Sequence, residues 1–242
     1  ARERRKTKKF VAEGIKMVLE AINFDKLDKL YVSESAFDRT AQRLGDKLER
    51  IPYEVVADNV FKQISDTVTP QGVLATVNMP EYDVKEILSD ERKAWVLLDD
   101  LRDPGNLGTI IRTSEGAGMS GVIMSKESVD LFNPKVVRST MGAIFRVKFC
   151  YVESLIDIIE EIKKSGYDVY ATAMEGSEVY DCVDYTKGSA FIIGNEANGV
   201  SDAVFEKASK RIRIPMEGKL ESLNAAVSAA IIMYEMARQK RK

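Results

Sequence analysis

The chain has 242 residues, enough for one large domain or two smaller ones, and its 45% hydrophobic and 31% charged content is that of a globular protein. No apolar run approaches a membrane span and no secretory leader opens the sequence, while two cysteines, Cys150 and Cys182, are too few for a disulfide framework or a zinc cluster and read as reduced thiols of a cytoplasmic protein. The net charge is −2, and the lack of histidine removes the commonest general base, the commonest metal ligand and every Ser-His or Cys-His nucleophile.

Arg2, Arg4, Arg5, Lys6, Lys8 and Lys9 stand against Glu3 alone at the start, and Arg238, Lys240, Arg241 and Lys242 close the chain. Such clusters suit phosphates, but they are equally common as solvated tails. The spacing of Val11, Ile15, Val18, Leu19 and Ile22 predicts a helix over 10–22 after a short extended start. A strand at 29–32, an amphipathic helix at 35–50, strands at 53–56 and 73–77 and a short helix around 60–64 complete a small α/β domain, residues 1–80. Residues 81–93 read as a linker with a helical turn near 84–88.

From residue 94 to 242, strands and helices alternate. Continuous apolar runs at 94–98, 121–124, 147–152, 169–173 and 190–193 predict strands covered on both faces, and 211–214 alternates as a half-buried strand. Helices are expected at 106–116, 134–141, 154–164, 201–208 and 222–240. The fold class is therefore α/β, with a largely parallel C-terminal sheet.

Gly116-Ala-Gly-Met-Ser-Gly121 matches G-x-G-x-x-G letter for letter, but it follows a helix and precedes a strand. A dinucleotide site needs the reverse order, so these glycines stop a helix and turn the chain. Three other junctions are more informative. Asp103-Pro-Gly-Asn-Leu-Gly-Thr-Ile-Ile-Arg112 opens a helix that is apolar or small near Arg112. Gly194-Asn-Glu-Ala-Asn-Gly-Val-Ser201 joins a strand to a helix beginning near Ser201, with glycines that permit positive φ and close backbone approach to a ligand. Ile214-Pro-Met-Glu-Gly-Lys-Leu-Glu-Ser-Leu-Asn224 leads into the last helix, with Ser222 the expected N-cap and Asn224 in the first turn. Each alone also fits an ordinary strand–helix junction. All three follow strands, however, and in an open α/β sheet such loops gather outside the carboxyl ends, where ligands bind.

Together these motifs, in order and spacing, resemble those of the SpoU-type RNA ribose 2′-O-methyltransferases of the SPOUT superfamily. The first third resembles that family's accessory RNA-binding domain, around Phe10-Val-Ala-Glu-Gly14. The resemblance implies a deep trefoil knot made by the last helix, a homodimer with the pocket near the subunit interface, and S-adenosylmethionine held in the knot by Thr172, Gly194, Asn195, Ile214, Met216 and Leu223. Asn106, Arg112, Glu196, Ser222 and Asn224 match its polar, catalytic positions, and no metal is required. It implies methyl transfer to structured RNA, ribosomal RNA of the large subunit before tRNA; the alternative from another class is a catalytically silent RNA-binding or assembly protein. Arg112 is either the base or the group that binds the substrate phosphate and polarises the hydroxyl. A guanidinium pKa above ~12 favours the second, with Asn106 orienting Arg112, Ser222 and Asn224 shaping the ribose pocket, and Glu196 anchoring loop or substrate.

Overall fold

A computed structural model describes residues 2–173 and 177–241, so Lys242 of the basic C-terminal cluster lies outside the described residues. The chain forms two compact units: Ala1–Pro80 with Asp130–Phe145, and Glu81–Val129 with Arg146–Lys242.

The first unit begins with α1 (Arg2–Thr7), β1 (Lys9–Glu13), α2 (Ile15–Asn23), β2 (Leu27–Ser33) and α3 (Phe37–Leu44), followed by β3 (Tyr53–Val56), α4 (Asp58–Ile64) and β4 (Val73–Asn78). Its sheet runs β1-β4-β2-β3, with β4 antiparallel to both neighbours and β3 parallel to β2. The predicted helix over 10–22 is really a strand and a helix. Phe10 and Ala12 point into the core while Val11 faces out, the period of a strand paired with β4. Gly14, at φ 94, then redirects the chain into α2. The helix expected over 35–50 likewise stops at Leu44 and continues as 3₁₀ turns over Gly45–Arg50. Part of the basic N-terminus is spent on folding: Arg4 pairs with Asp130 at 2.6 Å and Lys9 with Asp28 at 2.6 Å.

In the second unit α5 (Val84–Leu88) precedes β5 (Ala94–Leu98), α6 (Pro104–Gly116) and β6 (Gly121–Ser125). Residues 81–93 are more than a tether here, because Ile87 is fully buried and its carbonyl accepts the Trp95 indole N–H at 3.0 Å. Residues 130–145, counted with the first unit, carry α7 (Pro134–Ser139), which packs on β1, and Phe132, whose ring lies 5.0 Å from Phe10. The second unit resumes with β7 (Phe149–Val152), α8 (Leu155–Lys164), β8 (Asp168–Thr172), β9 (Glu178–Val179), β10 (Ser189–Ile193), α9 (Asp202–Phe205), β11 (Lys210–Arg213) and α10 (Ala225–Lys240).

The seven strands run β7-β6-β5-β10-β8-β11-β9, and every pairing is parallel. β5, β6 and β10 are buried at every position, as expected where helices cover both faces. α8 illustrates the local logic. Ser154 Oγ caps the Asp157 N–H, while Leu155, Ile158, Ile159 and Ile162 lay one apolar stripe on Trp95, Leu97 and Ile192. The last glycine of the G-x-G-x-x-G string serves packing, since a Cβ on Gly121 would sit 2.6 Å from Ile87 and 2.9 Å from the Lys148 carbonyl. Among the described residues no helix is long and apolar enough to cross a membrane.

Candidate functional site

Because every pairing is parallel, the loops after β5, β10, β8 and β11 open at one edge of the sheet. Register keeps their ends level: Leu98 pairs with Ile193, Ala171 with Ile192, and Thr172 with Ile212. Open α/β sheets bind ligands outside these carboxyl ends. A cavity of ≈ 280 Å³ lies there, and Thr172, Gly194, Asn195, Ile214, Met216 and Leu223, the six residues expected around the cofactor, all line it. Of the expected polar residues Glu196 and Ser222 line it too. Ile193, Ile212, Ser228 and Ile232 also belong to the wall, beside Arg213 and small residues of the same loops. No motif marks these four, because their strand and helix faces are set only by the packing.

The floor of the cavity depends on Gly194. A Cβ there would lie 2.0 Å from the Gly199 carbonyl carbon and 2.1 Å from the Val200 nitrogen. The close approach made by this glycine is therefore to its own loop. Asn195 and Gly199 exchange backbone hydrogen bonds of 2.9 and 2.8 Å, and the Asn195 side chain accepts from Ala197 N and Asn198 N while donating to the Asp100 carbonyl. Ser201 is the N-cap of α9, and its N–H and hydroxyl both donate to Asp99, at 2.8 and 2.7 Å. The β10 loop is thus tied to the β5 loop at two points.

A third tie is Glu196. One carboxylate oxygen accepts from Asp103 N and Asn106 Nδ2, each at 2.9 Å, and the other from Arg102 N at 3.1 Å. Burial alone would raise its pKa, but these hydrogen bonds outweigh that cost and hold it below the ordinary 4.5. Glu196 therefore sits as an anion against the first turn of α6, which begins at Pro104, two residues before the expected start, with Asp103 as N-cap. Because the folded carboxyl is the stronger acid, its contribution to stability is complete above pH about 4.5 and falls away as pH drops through the lower folded value. Thermal unfolding of the protein and of Glu196→Gln should therefore differ by a constant interval from neutral pH down to about 5, then converge in more acid solution. An interval that stays constant below pH 4 would show that the carboxylate does not act through its charge.

Asn106 joins all three motifs. Its Nδ2 donates to Glu196, and its Oδ1 accepts Asn224 Nδ2 at 2.9 Å. Asn224 Oδ1 in turn accepts the N–H groups of Ala226 and Val227, so Asn224, not Ser222, is the N-cap of α10, and the helix begins at Ala225. A two-residue shift of cap follows from this pairing, since only Asn224 reaches both the helix and Asn106. Asn106 and Asn224 border the cavity residues through these bonds and are not among its lining. Asn106 makes no hydrogen bond to Arg112, which is exposed on α6 and, among the described residues, has no side-chain partner. Burial pushes the Cys150 thiol up to about 12, which disfavours the thiolate at neutral pH. Among the described residues no cluster of three His, Cys, Asp or Glu side chains could hold a metal ion.

The arrangement can enclose a small, partly apolar ligand beside a polar loop array, and the likenesses to known proteins agree with that chemistry. The pattern of the SpoU rRNA Methylase family matches residues 93–234, and that of an MRM3-like substrate binding domain matches residues 1–75. The chain is 36% identical over 236 residues to 23S rRNA (guanosine(2553)-2′-O)-methyltransferase RlmP of Bacillus subtilis (strain 168), covering 97% of this chain and 91% of that protein. The SpoU methyltransferase AviRb of Streptomyces viridochromogenes, in complex with the cofactor AdoMet, superposes with a TM-score of 0.87 at 28% identity, over 100% of this chain and 94% of that one. An AdoMet-bound rRNA methyltransferase from Sinorhizobium meliloti gives a TM-score of 0.85 at 32% identity, over 98% and 90%. The fold, the motif loops and these likenesses coincide, and the chain belongs to the SpoU rRNA methylase family.

Proposed function

We propose that this protein transfers the methyl group of S-adenosylmethionine to a ribose 2′-hydroxyl of ribosomal RNA. The observation that carries the reading is the cavity at the carboxyl ends of β8, β10 and β11, in a fold shared along the whole chain with AdoMet-bound neighbours. Its residues fit the cofactor. Ile214, Met216 and Leu223 offer apolar contact for a purine and the aliphatic stem of the methionine part, while Thr172, Asn195 and the backbone around Gly194 offer polar groups. Bound there, S-adenosylmethionine supplies an electrophilic methyl carbon, and the chain's task is to bring a hydroxyl oxygen in line with it. Alignment of this kind can contribute roughly 7–11 kcal/mol.

In this reading Arg112 binds the substrate phosphate and polarises the hydroxyl, whose proton leaves to phosphate or water. Ser222, at the cavity wall, shapes the ribose pocket. Glu196, Asn106 and Asn224 act as positioning residues that hold the three loops in register. The solvent-facing Arg112 supports a homodimer. α10 packs on α6 and exposes Val227 (47%) and Tyr234 (49%), with Ile231 between them at helical spacing, so a second subunit docking there would enclose Arg112. We also take α10, which returns from β11 to lie against α6 and β10, as the segment threaded through the knot, and we place the reaction in the cytoplasm, where the free thiols stay reduced.

The test is transfer of labelled methyl from S-adenosylmethionine to unmodified rRNA and tRNA, followed by alkaline hydrolysis. One alkali-resistant phosphodiester in 23S rRNA is the expected product, because a blocked 2′-oxygen cannot attack its phosphate. Label on a base, or no transfer to any RNA despite cofactor binding, would reject the reading.

A further inference from the structure

Two charged residues stand in the wall of the cavity at the carboxyl ends of β8, β10 and β11, and they are partnered very differently. Glu196, the acid, accepts from Arg102 N, Asp103 N and Asn106 Nδ2. Arg213, the cation, is half-buried at the end of β11 and forms no ion pair among the described residues. Its one partner among them is the Ser177 carbonyl, which accepts from Nη1. Glu178, placed opposite Ile212 in the β11–β9 pairing, is exposed and makes no ion pair with it. A guanidinium carries five N–H donors, so most of this one's capacity is unused.

The backbone explains how an arginine comes to be there. Ile212, Arg213 and Ile214 line the cavity consecutively, although strand alternation would send the middle one to the other face. β11 ends at Arg213, and Pro215, two positions later, cannot continue a ladder, so the chain leaves the sheet at this point. Around Arg213 the wall is apolar or uncharged, with Thr172, Ala173, Ile212 and Ile214. A half-buried cation in such a wall loses hydration without gaining a counter-ion, a loss that a bound anion offsets. With Nη1 held by Ser177, the side formed by Nε and Nη2 is the fork that fits a planar anion through two parallel hydrogen bonds.

We propose that Arg213 binds the α-carboxylate of S-adenosylmethionine and so fixes which way the methionine part runs in the cavity. The contact rests on the reading of this cavity as the S-adenosylmethionine site. That molecule has three charged groups. Its sulfonium and its ammonium are cations, and the carboxylate alone can meet a guanidinium. Methyl transfer leaves the carboxylate unchanged, so the contact is made equally by S-adenosylmethionine and by the product S-adenosylhomocysteine. It therefore supports binding of both and not the chemical step.

Calorimetric titration of the whole chain with three ligands tests the contact: S-adenosylmethionine, S-adenosylhomocysteine and decarboxylated S-adenosylmethionine. The third keeps the sulfonium and the ammonium and lacks only the carboxylate. Arg213→Ala is expected to weaken the first two by about 10- to 100-fold, the worth of a charge-assisted hydrogen bond, and the third by no more than about twofold. Arg213→Lys keeps the charge without the fork and should regain part of the loss. In methyl-transfer assays the alanine variant should change KM for the cofactor far more than kcat. Equal weakening of all three ligands would make Arg213 a strut for Ser177 and overturn the proposal, as would parent-like affinity of the folded alanine variant for S-adenosylmethionine. The cofactor reading fails separately, and takes Arg213 with it, when the folded parent binds none of the three. When the parent binds S-adenosylmethionine but the carboxylate-dependent loss is absent, only the role of Arg213 falls.

Discussion

Gly194→Ala is expected to abolish most binding of S-adenosylmethionine while leaving the protein folded. The added methyl would fall 2.0–2.2 Å from three backbone atoms of Gly199 and Val200, none of which can rotate aside as a side-chain tip would. Either β10 retreats or the 195–199 loop opens, and the paired hydrogen bonds between Asn195 and Gly199 are stretched in both cases. Overpacking of this kind costs about 1–3 kcal/mol. Where the same loop forms the ligand's floor, that cost appears in affinity, and at 1.4 kcal/mol per decade it corresponds to a roughly 5- to 140-fold weaker complex. Calorimetric titration with the cofactor, alongside a thermal melt, separates loss of the site from loss of the fold. An alanine variant that binds S-adenosylmethionine as tightly as the parent would place the cofactor elsewhere.

Arg112→Ala is expected to act in the opposite way, on turnover and not on cofactor affinity. Arg112 is exposed on α6 and holds no side-chain partner among the described residues, so its removal breaks nothing in the subunit and should change stability by no more than about 0.5 kcal/mol. If the guanidinium binds the substrate phosphate and polarises the hydroxyl, losing it should lower methyl transfer by about 10²–10³, the usual effect of deleting a preorganised donor. Arg112→Lys keeps the charge but not the planar fork and should recover only part of the rate. Turnover equal to the parent in the alanine variant would remove Arg112 from the site. Loss of cofactor binding would instead assign it to the methyl donor's pocket.

Six of the cavity residues were legible in the sequence through the resemblance of their motifs to the SpoU family, and local rules account for where those motifs stand. A strand must end before a loop can begin, glycine must stand where backbones nearly touch, and prolines and caps mark the starts of helices. Ile214, Met216 and Leu223 lie at one such junction and Gly194 and Asn195 at another, and the resemblance assigned them to the cofactor. The errors are equally physical. Ser222 and Asn224 are both good caps, and nothing between residues 222 and 225 distinguishes them; the partner that does, Asn106, is 118 positions away. Phe10, Val11 and Ala12 could continue the apolar stripe of the helix that follows, and only pairing with β4 gives them the alternation of a strand. Asn106 was expected to orient Arg112, but the two ends of its amide are taken by Glu196 and Asn224.

Strand and helix types, the turn at Gly116–Gly121 and the family itself were accessible from residue order, because each depends on neighbours within a few positions or on motif spacing along one chain. Partner choice was not. That Glu196 holds the start of α6, that Arg112 faces outward, and that residues 130–145 give Phe132 and Arg138 to the first unit all depend on contacts between segments tens of residues apart. Hydrophobic periodicity tells a helix which face to bury but does not say against which core. Hydrogen-bonding capacity tells an asparagine how many partners it needs but does not name them, and both are chosen when the whole chain competes for the same burial.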